Sequence, residues 1–399
     1  MSLAEECLWN LDCIKTRVIK EIRELPRSKG ALLRHINELP DGLLEETGRE
    51  LKESDVELLL SIELSDKAVS LISGVDPGNI SSINLLIKLT ETLMERGRFS
   101  KAMELLKGRV NNAVGENSLR LRVLMELCQG FMNLESSSVE HSRGNHDAEF
   151  RLINEAMSHF SEAYRHYEDL GELNNALEVR LTGLIELAKY YLTHGDLDNA
   201  RSTYLQCSSA ARWSEGHLIE ATRCSAMARL IDAIEDSNPV YYEEAGDMLL
   251  NITQEEPEVA EEAKAAYGSA LQLTSSDEDK GRLFMKYLTA TIIHIDWLVS
   301  QRYGGFEGLI NAIKSLGLRG VVNELSINEG QIRLYLETKA LAKVGGFNGV
   351  KVAVALTLMG LTLSSSTSEL MRKLREAGVE VSEGMLNEAK NVLGNWLNY

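Results

Sequence analysis

Proline is nearly missing: there are 5 in 399 residues. Its ring clashes with the preceding helical turn and removes a backbone donor, so its scarcity lets many helices run unbroken. No Cys-x-x-Cys pair occurs, and the cysteines (Cys7, Cys13, Cys128, Cys207 and Cys224) are odd in number. We expect ordinary buried thiols in a reducing compartment, not a disulfide framework or a zinc module. Basic residues are outnumbered, 42 Lys and Arg against 60 Asp and Glu, for a net charge of -18. Such a chain repels phosphate backbones and anionic lipid unless a local basic patch overrides the total. The longest apolar run, residues 350–363, is broken by Lys351 and Gly360 and falls short of bilayer length. The opening MSLAEECLWNLDC is acidic where a secretory leader is basic, so we expect a soluble intracellular protein.

Catalytic signatures are also lacking. There is no H-E-x-x-H, no G-x-S-x-G, no phosphate-cradling G-x-x-x-x-G-K-[ST] and no kinase signature set. An HxH motif with downstream Ser and Asp, as in metal isopeptidases of the JAMM type, does not occur either. His194 in YLTHGD sits at a helix-pair turn and His294 in IIHID on an apolar helix; both are expected to be structural. We therefore expect no catalytic residue, no cofactor and no metal.

Helical periodicity is present almost everywhere. A length of 399 residues suits two or three domains or one elongated array. Segment 1–70 carries helical patterns broken near Pro26 and Pro40, with a cationic stretch (Lys15, Arg17, Lys20, Arg23, Arg27, Lys29, Arg34) interleaved with Glu21 and Glu24. Such a stretch is a solvated helix face, or docks onto an acidic partner. After the turn VDPGNISS the chain reads as paired helices. Leu86, Leu89 and Leu93 share a face before Gly97, and Phe99, Ala102, Leu105 and Leu106 share one after it. The layout returns with Leu184, Leu187, Ala188 and Tyr191, then Gly195, then Leu197, Ala200, Tyr204 and Cys207. The two turns lie near three times the ~34-residue tetratricopeptide period apart. Further helices are expected at about 118–135, 147–169 and 173–194, and an acidic helix start at Pro257. The insert at 135–147, ESSSVEHSRGNHD, is expected to be an exposed loop. His141 and His146 are merely part of it, because no further ligand spacing supports a metal pair there. The glycine turns at 303–308 and 345–349 are expected to be helix-pair corners.

The last sixty residues change character. VKVAVALTLMGL is a candidate buried helix; LSSSTSELMRKLREAG gives a serine cap, an amphipathic helix and a glycine stop; VEVS is a candidate strand. Helix, capped helix and strand are the parts of a winged helix. A nucleic-acid reader would need a basic capped helix, but Arg372, Lys373 and Arg375 are offset by Glu369, Glu376 and Glu380, so nucleic acid is an unlikely partner. The terminal helix carries an apolar stripe: Met385, Leu386, Ala389, Val392, Leu393, Trp396 and Leu397. It either folds back on its own domain or packs with helices of other subunits, and we take these residues as the candidate partner-binding set.

Several stretches resemble the PCI family of scaffold subunits, most closely the branch holding COP-nine signalosome subunit one and its proteasome-lid counterpart. Tyr191-Leu192, Gly195-Asp196-Leu197, Asn199-Ala200 and Tyr204 resemble its helix-pair pattern YLxxGDLxNAxxxY. Residues 266–273 resemble its tyrosine–glycine helix; Arg333, Leu336, Ala340 and Leu341 resemble the helix leading into the winged helix; and 356–378 resembles the capped helix ending in glycine. After Gly378 the family has a second strand with an Ile-Asp pair, where this chain has only VEVS. The resemblance implies an all-α chain: a tetratricopeptide-like helical-repeat solenoid, then a C-terminal winged-helix (PCI) module and a terminal helix. The expected segments are an N-terminal helical region at 1–75, the repeat array at 76–340, the winged-helix-like module at 341–383 and the terminal helix at 384–399. It also implies a non-catalytic scaffold of the cytoplasm and nucleus. Its partners would be other PCI and helical-repeat subunits and a cullin-type ligase, with no membrane, and it would support cullin deneddylation by another subunit. A proteasome-lid subunit and a free-standing tetratricopeptide-like peptide-binding adaptor are the alternatives; no clear carboxylate clamp speaks for the adaptor.

Overall fold

The structure, a computed structural model, describes residues 3–397 apart from Trp9 and Glu63. Met1 and Ser2 of the expected N-terminal region, and Asn398 and Tyr399 of the expected terminal helix, lie outside the described residues. Among the described residues every regular element is a helix and no strand forms. The chain packs as two compact units, Met1–His194 and Gly195–Tyr399. From Ile83 onward, helices adjacent in sequence within a unit pack on one another, as in helical repeats; nearer the N-terminus the pairing skips, and helix 41–48 packs on helix 66–73.

The first unit opens with the helices Leu11–Arg23, Lys29–Glu38, Asp41–Gly48, Glu53–Leu59 and Asp66–Ser73. Asn10 and Ser65 cap two of them through side-chain oxygens. Helices 41–48 and 66–73 touch backbone to backbone: a Cβ on Gly48 would lie 2.0 Å from the Leu71 carbonyl oxygen, and one on Gly74 1.8 Å from that of Glu45. Much of the cationic stretch is tied up locally. Lys15 donates to Glu50 at 2.9 Å, and Arg23 holds Asp55 through two hydrogen bonds of 2.8 and 3.0 Å. Arg23 keeps the Asp55 carboxyl below the ordinary range, against the opposing effect of burial.

Ile83–Glu95 and Phe99–Leu106 follow, then three long helices, Glu116–Ser142, His146–Asp169 and Leu173–Thr193. Gly130 lets the first two of these approach closely, because a Cβ there would lie 2.7 Å from the Phe160 ring. Phe99 stacks on Phe131 at 4.9 Å, and Phe131 meets Phe160 edge-on at 5.2 Å. The expected loop at 135–147 is corrected here. Helix runs on to Ser142, and only residues 143–145 make the turn. The serine hydroxyls, which look loop-forming in sequence, donate instead to carbonyls of their own helix: Ser136 to Met132, Ser137 to Leu134 and Ser142 to Ser138.

The second unit contains Leu197–Ala211, Leu218–Asp236, Pro239–Asn251, Ala260–Leu273, Asp277–Tyr303, Phe306–Leu325, Glu329–Leu358, Thr367–Glu376 and Glu383–Leu397. Two buried tyrosines anchor it. Tyr267 donates to Asp247 at 2.7 Å while Lys286 binds the same carboxylate at 2.7 Å. Tyr335 donates to Asp296, which Lys339 holds at 2.9 Å. Burial, with the neighbouring aspartate, pushes both phenols up. Gly246 faces the Tyr267 ring, where a Cβ would lie 2.7 Å away.

Four thiols expected to be free are paired, Cys7 with Cys13 and Cys207 with Cys224. Cys207 and Cys224 lie on neighbouring helices with Cα atoms 6.0 Å apart, so the helix packing, not sequence spacing, brings them together. Only Cys128 is a free cysteine among the described residues, and burial pushes its thiol up to about 12. Helix 329–358 has the length and apolar character of a membrane span but breaks at Gly346, where φ is 53° and ψ -131°. Each half is thereby shorter than the ~20 residues a crossing needs. Past the break, Val352, Ala353, Val354 and Leu356 are buried, as expected of this segment. Ser366 caps helix 367–376 by accepting from the Glu369 amide. VEVS is the other correction. Residues 379–382 form no strand; Val379 and Val381 pack on the apolar cluster of the neighbouring helices instead, with no ladder partner.

Gly246→Ala drives a methyl into a buried ring and is expected to cost about 1–3 kcal/mol, whereas Gly281→Ala, with nothing within 4 Å, is neutral or stabilising. Thermal melts of the two variants check this. Reduction, or Cys207→Ser with Cys224→Ser, is expected to remove about 3 kcal/mol in denaturant titrations; unchanged midpoints would contradict the pairing.

Candidate functional site

The turn at 143–145 places four ionisable side chains together. His141 lies in the last turn of helix 116–142, His146 opens helix 146–169, Glu149 follows one turn later, and His194 caps the C-terminal end of helix 173–193. Gly144 makes the reversal possible with a left-handed φ of 72°. The Asn145 amide donates to the Glu140 carbonyl at 3.0 Å, and the Glu140 carboxylate accepts from Arg143 and Asn145 at 2.7 and 2.8 Å.

Glu149 is the centre, with a side chain only 7% exposed. Its Oε1 lies 3.1 Å from His141 Nδ1, and its Oε2 lies 3.3 Å from His146 Nδ1 and 3.2 Å from His194 Nε2. His194 Nε2 is also 3.4 Å from His146 Nδ1. One donor atom from each residue falls within 4.8 Å of all the others. The Tyr190 ring covers His194 at 4.3 Å, and the Tyr190 carbonyl lies 2.9 Å from His194 Nδ1. Burial opposes ionisation of Glu149. Hydrogen bonds from His146 and His141 and the charge of His194 outweigh it, and its carboxyl sits below the ordinary glutamate value.

Sequence reading set His141 and His146 aside in a loop and took His194 as structural; it did not single out Glu149. The available signal was His-x4-His-x2-Glu across a helix end, and it makes a cluster only once His194 arrives from a third helix. His294, also expected to be structural, is 5% exposed, and its Nδ1 has no hydrogen-bond partner. Burial lowers its pKa, assisted by the charge of Lys264.

The stripe taken as partner-binding packs in part within its own unit, and Met385, Val392, Leu393, Trp396 and Leu397 stay half-buried. Leu386 and Ala389 are fully buried, Met385 contacts Gly345, and Val392 packs on the cluster around Leu341 and Leu370. Leu393 and Leu397 lie against the cluster around Ile310 and Leu336, and Trp396 meets Phe306 edge-on at 4.9 Å. The stripe at 184–191 is also incompletely covered. Ala188 is buried, but Leu184, Leu187 and Tyr191 are only partly covered. Leu184 and Leu187, with Met157, Phe160, Val179 and Gly183, line an open groove of about 420 Å³ between helices 146–169 and 173–193. Arg165 and Arg180 stand on its rim.

Compared with family models and with curated proteins, the sequence matches none.

Because the folded carboxyl of Glu149 has a depressed pKa, the stability it contributes is present above the unfolded glutamate value of about 4.3. That contribution is lost as pH falls through the folded value. In chelator-treated protein, Glu149→Gln is therefore expected to lie below wild type in denaturant midpoint at pH 7, and the gap to narrow below about pH 4. An equal gap at both pH values would contradict the assignment.

Proposed function

We propose that the chain is a non-catalytic scaffold subunit of a large complex of the COP-nine signalosome type, supporting cullin deneddylation carried out by another subunit. The observation that carries the reading is the apolar groove between helices 146–169 and 173–193. Its lining is methionine, phenylalanine, valine and leucine with two arginines, Arg180 and Arg165, the latter paired with Glu162, and such a lining receives the apolar face of an amphipathic partner helix. Trp213, 92% exposed in the second unit, adds an apolar anchor of the type that dominates protein interfaces. The motif YLxxGDLxNAxxxY and the capped helix 367–376 carry the family resemblance. No wing strand forms among the described residues, so in this reading contacts with sister subunits fall to helices. A proteasome-lid role rests on the same features. A free-standing adaptor is favoured only by the groove, and it would take a short peptide without forming a stable stoichiometric complex.

Affinity purification of the full-length chain followed by mass spectrometry tests the proposal. The expected partners are several helical-repeat subunits together with a metal isopeptidase subunit. Leu184→Arg is expected to cut their recovery at least about tenfold with helicity unchanged, the scale of an interface anchor. A partner-free monomer, or recovery indifferent to Leu184→Arg, would contradict the reading.

A further inference from the structure

We propose that His141, His146, Glu149 and His194 form a binding site for one transition-metal dication of the zinc class, independent of the scaffold reading. The argument begins at His194. The Tyr190 carbonyl can only accept, so at 2.9 Å it fixes the proton on His194 Nδ1. His194 Nε2 faces Glu149 Oε2 at 3.2 Å and His146 Nδ1 at 3.4 Å, and when unprotonated it presents a lone pair to them. Electron pairs so placed repel unless a positive species stands among them. A proton answers for one pair only. Here three imidazoles surround a single carboxylate, and protonating all three would crowd like charges whose rings lie between 5.3 and 6.2 Å apart. A dication satisfies all four donors together.

The spacing supports this. Zinc bonds of about 2.0–2.1 Å set tetrahedral ligand atoms about 3.3–3.4 Å apart. Around Glu149 Oε2 the separations among His146, His194 and the carboxylate are 3.2, 3.3 and 3.4 Å; His141 Nδ1 lies 3.1 Å from the other oxygen, Oε1, and the four donor atoms together span no more than 4.8 Å. The remaining adjustment falls to the side chains of His141 and His146, which are 44% and 63% exposed and able to turn. Glu149, buried and fixed in the first turn of its helix, holds the centre in place. Three imidazoles and one carboxylate select zinc, cobalt or nickel over magnesium or calcium, which require more oxygen ligands. The hydrogen bond at His194 Nδ1 is the outer-shell contact that orients a ligating imidazole. Four protein ligands from three helix ends make a closed structural site, which ties helix 173–193 to the hairpin of 116–142 and 146–169.

The test uses the full-length chain stripped with chelator. Zn(II) is titrated in competition with a chromophoric chelator, and Co(II) is followed by its visible absorption. We expect one equivalent per chain, a tetrahedral Co(II) spectrum, and no displacement by excess Mg(II) or Ca(II). Glu149→Gln, His194→Gln and His146→Gln are each expected to weaken binding by at least about 100-fold, since outer-shell partners alone carry ~10–100-fold. His146 is exposed, so its variant keeps the test valid even if Glu149→Gln unfolds, with circular dichroism as the check. Absence of binding in the micromolar range, a six-coordinate Co(II) spectrum, or variants that bind as well as wild type would overturn the proposal and leave proton-shared histidine–glutamate pairs.

Discussion

Close approach of helices at small residues is the constraint on which the structure depends. Gly130 against Phe160, Gly48 against Leu71 and Gly246 against Tyr267 each leave no room for a Cβ. A ring or a carbonyl seated on a glycine lets neighbouring helices bury their apolar stripes at close range, and it fixes the rotation of one helix on the next. The consequence reaches beyond the contact. Once Phe160 seats on Gly130, the ends of helices 116–142 and 146–169 are set, and a three-residue turn suffices to join them. His141, His146 and Glu149 are then neighbours because their helices are.

Four acids, Asp55 and Glu149 buried and Asp247 and Asp296 half-exposed, each have several donors converging on them. Asp55 takes both nitrogens of Arg23, Asp247 takes Tyr267 and Lys286, Asp296 takes Tyr335 and Lys339, and Glu149 takes three histidines. The first three satisfy a carboxylate with groups that carry their own protons. The fourth differs, because imidazoles are donors or ligands according to what sits between them. That difference separates a structural network from a centre with chemistry.

The helices were legible because their signals are local. The spacing of Leu184, Leu187 and Ala188, the glycine at 195 and the serine cap at 366 identify elements without knowledge of the fold. What was missed is tertiary. The serines at 136–142 read as a loop because their hydroxyls compete for backbone groups, and packing along helix 146–169 decides the matter. VEVS has strand propensity but no partner. Cys207 and Cys224 join because their helices cross, and the separation of 17 residues carries no signal of it. The stripe from Met385 to Leu397 packs partly on its own unit, and that of Leu184 and Leu187 lines a groove; periodicity alone cannot tell a face used within the unit from one left for a partner. His194 entered the cluster from a position 45 residues beyond Glu149, a distance that no spacing motif spans.

The central claim is that packing of three long helices gathers nitrogen and oxygen donors around one point. X-ray absorption at the zinc edge, on the full-length chain loaded with one equivalent, reads that point directly. The account predicts a four-coordinate shell of nitrogen and oxygen at about 2.0–2.1 Å with imidazole scattering and no sulfur. A sulfur shell, or a six-coordinate shell of water oxygens, would contradict it.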